Sequence, residues 1–135
     1  MKFLVALTLL VLTSPDWAFA EVFNSENLIE RNNIFYEKFN DVPISGEVTG
    51  LSTGILIEGK REGIWRWYHT NGQLITKAEF KNGIRNGFFE DYFYNGQMGA
   101  QGDYKNGVRH GHWKFYGQDG SLRVSQRYKD GHVLK

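Results

Sequence analysis

KNGIRNGFFEDYFYNGQ, residues 81–97, decides the fold, because the chain writes it again 24 residues later as KNGVRHGHWKFYGQDGS, residues 105–121. Gly63, Gly87 and Gly111 fall at the same offset, as do Trp65, Phe89 and Trp113, and Tyr68, Tyr92 and Tyr116. Gly72, Gly96 and Gly120 follow suit, with Leu74, Met98 and Leu122, Phe80, Tyr104 and Tyr128, and Arg61, Arg85 and Arg109. A fixed period between about 20 and 50 residues is the mark of a stacked repeat architecture. Three units are delimited, 63–86, 87–110 and 111–134.

One unit reads as one β-hairpin. Residues 63–70 are rich in aromatic and β-favouring side chains, Asn71-Gly72 follows at once, and residues 73–80 supply the return strand. Asn-Gly between two such runs predicts a type I′ turn, which needs positive φ at both central residues. Residues 81–86 then form a longer connection to the next unit, with a second Asn-Gly at 82–83. The third unit uses Asp119-Gly120 and Asp130-Gly131 for the same purpose. Glycine recurs too often for a helix, and no apolar i, i+3, i+4 pattern persists. A lone hairpin is marginal in water, so successive hairpins are expected to pair edge to edge. Trp65, Phe89 and Trp113 would form one ladder and Tyr68, Tyr92 and Tyr116 another, each cross-strand contact contributing about 0.2–1 kcal/mol. The expected fold is all-β: stacked hairpins forming an elongated antiparallel sheet.

The pattern at 81–97 and 105–121 resembles the variant MORN repeat, and the chain is similar in this respect to proteins of the YwqK antitoxin-component type. The resemblance implies a repeat fold and roles in scaffolding, lipid binding, dimerisation or toxin neutralisation. Two departures stand out: Asp91 replaces the aromatic residue present at Trp67 and Phe115, and Gly117-Gln118 interrupts the third hairpin.

Ahead of the repeats, residues 1–20 read as a secretory signal peptide. Lys2 gives a short basic start, an apolar run extends over residues 3–12, and Ala18-Phe19-Ala20 supplies a small-x-small cleavage pattern before Glu21. Export to the periplasm or the extracellular space is the expectation. Residues 21–62 read as a divergent N-terminal cap. Residues 21–27 are polar and expected to fray. Asn32-Asn33 is a candidate hairpin turn, a helix over 26–39 being the alternative. Strands are expected over 44–49 and 53–58, and the cap would cover the open edge of the first full hairpin. His132 to Lys135 start a further strand.

The chain carries 16 basic and 15 acidic residues and a net charge of +1. That balance argues against bulk electrostatic capture of nucleic acid or of an anionic membrane. With no cysteine, there is neither a disulfide scaffold nor a thiolate metal site. His110 and His112 lack a third ligand at useful spacing, and the adjacent Glu90 and Asp91 point to opposite faces of a strand. No catalytic residue, metal site or cofactor is assigned. The candidate binding residues are the Arg61, Arg85, Arg109 row, extended by Lys60, Lys81, Lys105 and Lys129 along a loop edge, and the stacking aromatics Trp67 and Phe115. The expected occupant is a protein partner; an anionic lipid, an envelope glycan or a second copy of the chain are the alternatives.

Overall fold

Gly63-Ile-Trp and its two copies place glycine where the strand must bulge, and that local event organises the sheet. A computed structural model describes residues 21–135; the expected signal peptide over 1–20 lies outside the described residues. The strands are β1 (Glu21–Asn24), β2 (Leu28–Arg31), β3 (Ile34–Glu37), β4 (Gly46–Thr49), β5 (Ser52–Ile57), β6 (Lys60–Tyr68), β7 (Leu74–Lys81), β8 (Ile84–Tyr92), β9 (Met98–Lys105), β10 (Val108–Tyr116), β11 (Leu122–Lys129) and β12 (His132–Val133). Ten of them form one sheet in the order β1-β4-β5-β6-β7-β8-β9-β10-β11-β12, and β2-β3 make a separate hairpin. The all-β repeat architecture is as expected.

The turns are the reverse of the expected assignment. The tight type I′ turns lie between units, at Asn82-Gly83 (φ 51° and 82°), Asn106-Gly107 (49° and 85°) and Asp130-Gly131 (50° and 82°). Lys81 pairs directly with Ile84 across the first of them, so residues 84–86 belong to strand and not to a long connection. At the other end only Gly72, Gly96 and Gly120 have positive φ. There the Gly72 amide donates to His69 O (2.9 Å) and the His69 amide to Gln73 O (2.8 Å), a four-residue turn followed by a glycine bulge. Asn71 is kept in that turn by accepting the Gln73 amide on its side chain (3.0 Å), as Asn95 does for Gln97 and Asp119 for Ser121. Gly117 occupies the position of His69 and Phe93, donating to Ser121 O (2.8 Å), so the third hairpin is uninterrupted.

The N-terminal region departs further. Residues 21–24 do not fray: they pair in parallel with β4 and bury Phe23, so the sheet is mixed at this edge. The 26–39 segment is no helix; beyond one 3-10 turn at Ser25–Asn27 it is the β2-β3 hairpin, with Asn32 and Asn33 both left-handed (φ 52° and 62°). β4 and β5 continue the sheet, and β2-β3 packs on its face instead of its edge. The Phe35 amide donates to Gly59 O (2.8 Å), the Gly59 amide to Ile44 O (2.7 Å) and the Ile44 amide to Phe35 O (3.2 Å). Beneath lies the core of Phe23, Ile44, Val48, Leu56, Trp65, Ala78 and Phe80, with Leu28, Phe35, Trp67 and Phe89 packed against it.

Candidate functional site

Alternation along the strands gathers Arg61, Trp65 and Trp67 of β6 on one face with Ala78 and Phe80 of β7. The pairing continues that face through Arg85 and Phe89 of β8, Tyr104 of β9, Arg109, Trp113 and Phe115 of β10, and Val124, Gln126 and Tyr128 of β11. The expected ladder of Trp65, Phe89 and Trp113 is therefore on one face, with Phe89 ring-to-ring with Trp113 at 5.6 Å. Tyr68, Tyr92 and Tyr116 sit near the far ends of β6, β8 and β10.

The bulge at each framework glycine explains how the tryptophans bury. Between Glu62 and Arg66, three residues of β6 face one residue of β5, with Gly63 at φ 68°. The extra length lets the Trp65 indole fold flat over Gly54, whose missing Cβ would fall inside the ring contact. The indole Nε1 donates to Ile55 O at 3.0 Å. Trp113 repeats the arrangement over Gly102 and donates to Asp103 O at 2.9 Å. In the middle unit the corresponding pair is Ala78 opposite Phe89. A larger aromatic ring thus goes with a smaller residue eleven positions earlier. Trp65 and Trp113 are fully buried (1% and 0% exposed).

The arginine row starts beside the type I′ turns, as its spacing suggests, yet its guanidinium groups lie over the aromatic face. Arg61 sits 4.4 Å from the Phe35 ring centre and 5.4–5.7 Å from those of Trp65, Trp67 and Phe80. Arg85 lies over Phe89 and Tyr104 at 5.2 and 5.3 Å. Arg109 lies over Trp113, Phe115 and Tyr128 at 4.7, 5.3 and 5.6 Å. Each such contact is worth about 0.5–1 kcal/mol where exposed and about 2 where desolvated. Arg85 and Arg109 also donate to the hydroxyls of Tyr104 (3.5 Å) and Tyr128 (3.4 Å). The equivalent residue for Arg61 is Phe80, which has no hydroxyl, and Arg61 turns to Glu30 of β2 at 3.4 Å.

The surroundings of the two outer arginines differ accordingly. Burial under β2-β3 lowers the Arg61 pKa against the opposing pull of Glu30, and its Nε is buried without a hydrogen-bond partner. For Arg109 burial also pulls downward, but the hydrogen bonds to Tyr128 and Tyr104 outweigh it and the pKa is raised. Its ring partners all come from β10 and β11.

Trp67 is half-buried against Trp65 and Phe80 (both 6.0 Å), and Phe115 stacks on Trp113 at 5.9 Å. Asp91, between them in the repeat, accepts the Thr76 hydroxyl at 2.9 Å and breaks the aromatic row. The lysines of the loop edge, Lys81, Lys105 and Lys129, are exposed. On the opposite face, Glu90 accepts the Tyr92 hydroxyl at 2.9 Å; burial first, and that carboxylate second, push the Tyr92 pKa up to about 12. Among the described residues, no group of three or more His, Asp or Glu is placed to hold a metal ion. The repeat pattern brought out the arginines and their aromatic partners. Glu30 and Phe35 escaped it, because they lie outside the repeat.

A family model described as MORN repeat variant matches residues 61–82 and 109–130. These segments carry the two fully buried tryptophans, Trp65 and Trp113, each followed two residues on by a second aromatic; residues 83–108, with Phe89 and Asp91, lie outside them. The chain is thus a repeat module carrying two MORN repeat variants. No curated protein matches the chain.

Proposed function

We propose that the protein is a non-catalytic interaction module, exported to the periplasm or beyond, that holds a protein partner on the aromatic-arginine face of its third unit. The observation that carries this is an asymmetry between two equivalent clusters. Arg61, Trp65, Trp67 and Phe80 are roofed by the chain's own β2-β3 hairpin, whereas Arg109, Trp113, Phe115 and Tyr128 draw their neighbours from the sheet alone. Four strand steps separate them, about 19 Å, and a two-stranded roof is about 10 Å wide. Beside the second cluster, Leu122 and Val124 of β11 are 53% and 41% exposed. Buried aromatics and arginine are the residue types that anchor protein interfaces. An antitoxin-like role is one form such a module takes, by its resemblance to YwqK-type proteins.

The test is site-specific photo-crosslinking in native cell envelopes. Val124 shares the face of Phe115, while Ser125, next in sequence, pairs with Lys114 and points the other way. A photoreactive residue at 124 should yield a discrete protein adduct that the same residue at 125 does not. Equal labelling from both positions, or adducts only to lipid or glycan, would refute the reading; adducts only to a second copy would make the site a homotypic interface.

A further inference from the structure

The roof over the first unit is an intramolecular ligand, and its chemistry can be read atom by atom. Glu30 and Phe35 are directly opposed across the β2-β3 ladder, so both project from the same face of the hairpin. That face meets the sheet. The Phe35 ring stacks on Trp65 (6.3 Å, 21° between planes) and under the Arg61 guanidinium, while the Glu30 carboxylate takes the Arg61 Nη2 at 3.4 Å. One cross-strand pair, a carboxylate facing an aromatic ring, thereby satisfies both the charge and the flat surface of the cluster.

Unit three presents the same constellation. Arg109, Trp113, Phe115 and Tyr128 stand 48 residues after Arg61, Trp65, Trp67 and Phe80, and the ring-to-guanidinium distances agree to within about 1 Å across the two sets. What differs is the ligand: among the described residues no carboxylate pairs with Arg109, and the rings around it and Trp113, namely Phe89, Tyr104, Phe115 and Tyr128, all belong to the sheet, so it is the Arg109 guanidinium that lacks the outside ring and the acid that Arg61 has. From this geometry we infer that the Arg109 cluster is a docking site for a β-hairpin of a partner protein carrying an acidic residue and an aromatic residue as a cross-strand pair. The inference rests on the interaction reading above and adds to it the chemistry of the occupant. The middle unit is not such a site, because Asp91 stands where the second aromatic would be and would repel the carboxylate.

The occupant's shape follows from the same template. In the roof the two strands are joined by the left-handed Asn32-Asn33 turn, and the Phe35 amide anchors on Gly59 O in the Glu58-Gly59 turn (φ 49° and 74°), the counterpart of the tight turns between units. The corresponding carbonyls in unit three are those at the Asn106-Gly107 turn, exposed at the same end of the sheet. A hairpin docked there would lie with its turn pointing as the roof's does, next to Arg109.

The probe is the chain's own roof sequence, LIERNNIFYE (residues 28–37), closed head to tail by a linker to hold the hairpin. It is titrated into the intact protein while the indole N–H resonances of Trp65 and Trp113 are followed by NMR. Both indoles are hydrogen-bonded to backbone carbonyls and give separate reporters of the occupied and the vacant cluster. Saturable shifts at Trp113, with Trp65 unmoved, are expected. Replacing the first glutamate of the probe, the Glu30 position, by glutamine, or its one phenylalanine by alanine, should weaken binding about tenfold or more, since each change removes one of the two contacts that the roof makes with Arg61. R109Q should do the same; R109K, which keeps the charge but not the planar stacking group, should recover part of the affinity. Absence of saturation at millimolar probe, equal affinity for the glutamine and alanine probes, or shifts at Trp65 alone would overturn the inference. Because the probe is not the native partner, this titration can fail while crosslinking through residue 124 succeeds, which separates the chemistry of the occupant from the existence of the interface.

Discussion

Replacing Gly102 by alanine tests the bulge-and-cover arrangement most sharply. The backbone at Gly102 is not left-handed, so the substitution brings no conformational strain of its own. The new Cβ would fall within the Trp113 ring, closer than real Cβ atoms approach. The ring cannot easily yield, being fully buried and tied by Nε1 to Asp103 O. Overpacking of this kind costs about 1–3 kcal/mol, and a locked ring puts the cost near 3. Trp113→Phe removes the indole hydrogen bond, worth about 1 kcal/mol, and leaves a gap that brings the total to about 2. Combined, the two changes rebuild in unit three the Ala78–Phe89 pair that unit two already uses. The double variant should therefore cost about 2–3 kcal/mol instead of the additive 5, a coupling of about 2–3 kcal/mol. Urea unfolding followed by far-UV circular dichroism measures all four corners of the cycle without relying on the tryptophan that is removed. Additivity within about 0.5 kcal/mol would refute the reasoning.

Three further outcomes follow from the same geometry. Asn106→Ala, at φ 49°, should cost about 1–2 kcal/mol and Asn106→Gly a few tenths, whereas Asn71→Ala loses only a turn hydrogen bond of about 0.5–1.5 kcal/mol; thermal melts that rank Asn71 above Asn106 would contradict the turn assignment. Tyr92 should be among the last tyrosines to ionise in a titration at 295 nm. Because its pKa is raised from 10.0 to about 12, the stability it contributes is complete below pH 10 and is lost as pH rises from 10 to 12. Glu90→Gln should bring the value only part of the way back, since burial is the larger cause. Phe35→Ala should cost about 2 kcal/mol, less than full aromatic truncation because the ring is half-buried. Hydrogen exchange should then accelerate at residues 34–37 and 59 and stay slow across β8–β11; a uniform loss of protection would show that the roof and the array are one cooperative unit.

The repeat was legible because every unit must solve the same packing problem, so period, turn residues and ladders all stand in the sequence. The identity of the tight turn was not. Asn-Gly, or Asp-Gly in the third unit, occurs at both ends of each hairpin, and which pair adopts I′ depends on strand register, set by the bulges at Gly63, Gly87 and Gly111. The signal for those bulges was present in the eleven-residue spacing of Gly54 to Trp65, Ala78 to Phe89 and Gly102 to Trp113, but its meaning needs the covered neighbour in view. The arginine row was found at the turn end of the strands. That its side chains would fold inward over rings depends on three-dimensional neighbours, and Glu30 and Phe35 have no periodic counterpart to betray them. Residues 21–27 read as polar and frayed from sequence, yet one inward residue, Phe23, is enough to order β1 where a sheet edge stands open.

The β2-β3 roof also bears on how quickly the protein falls apart. From β6 onward each strand pairs with its neighbour in sequence, so the array closes only short loops and should assemble early and fast. The roof and the parallel β1–β4 pair join segments about 25–30 residues apart, as in Glu21 with Gly46 and Phe35 with Trp65, and need the array as a surface to land on. Contacts absent from the transition state slow unfolding without hastening folding. The roof is then a kinetic latch: Phe35→Ala should steepen nothing on the refolding limb of a chevron and should raise the unfolding rate by most of its equilibrium cost. With no cysteine to form a disulfide, the protein would owe its lifetime against proteases to that latch more than to the aromatic ladder beneath it.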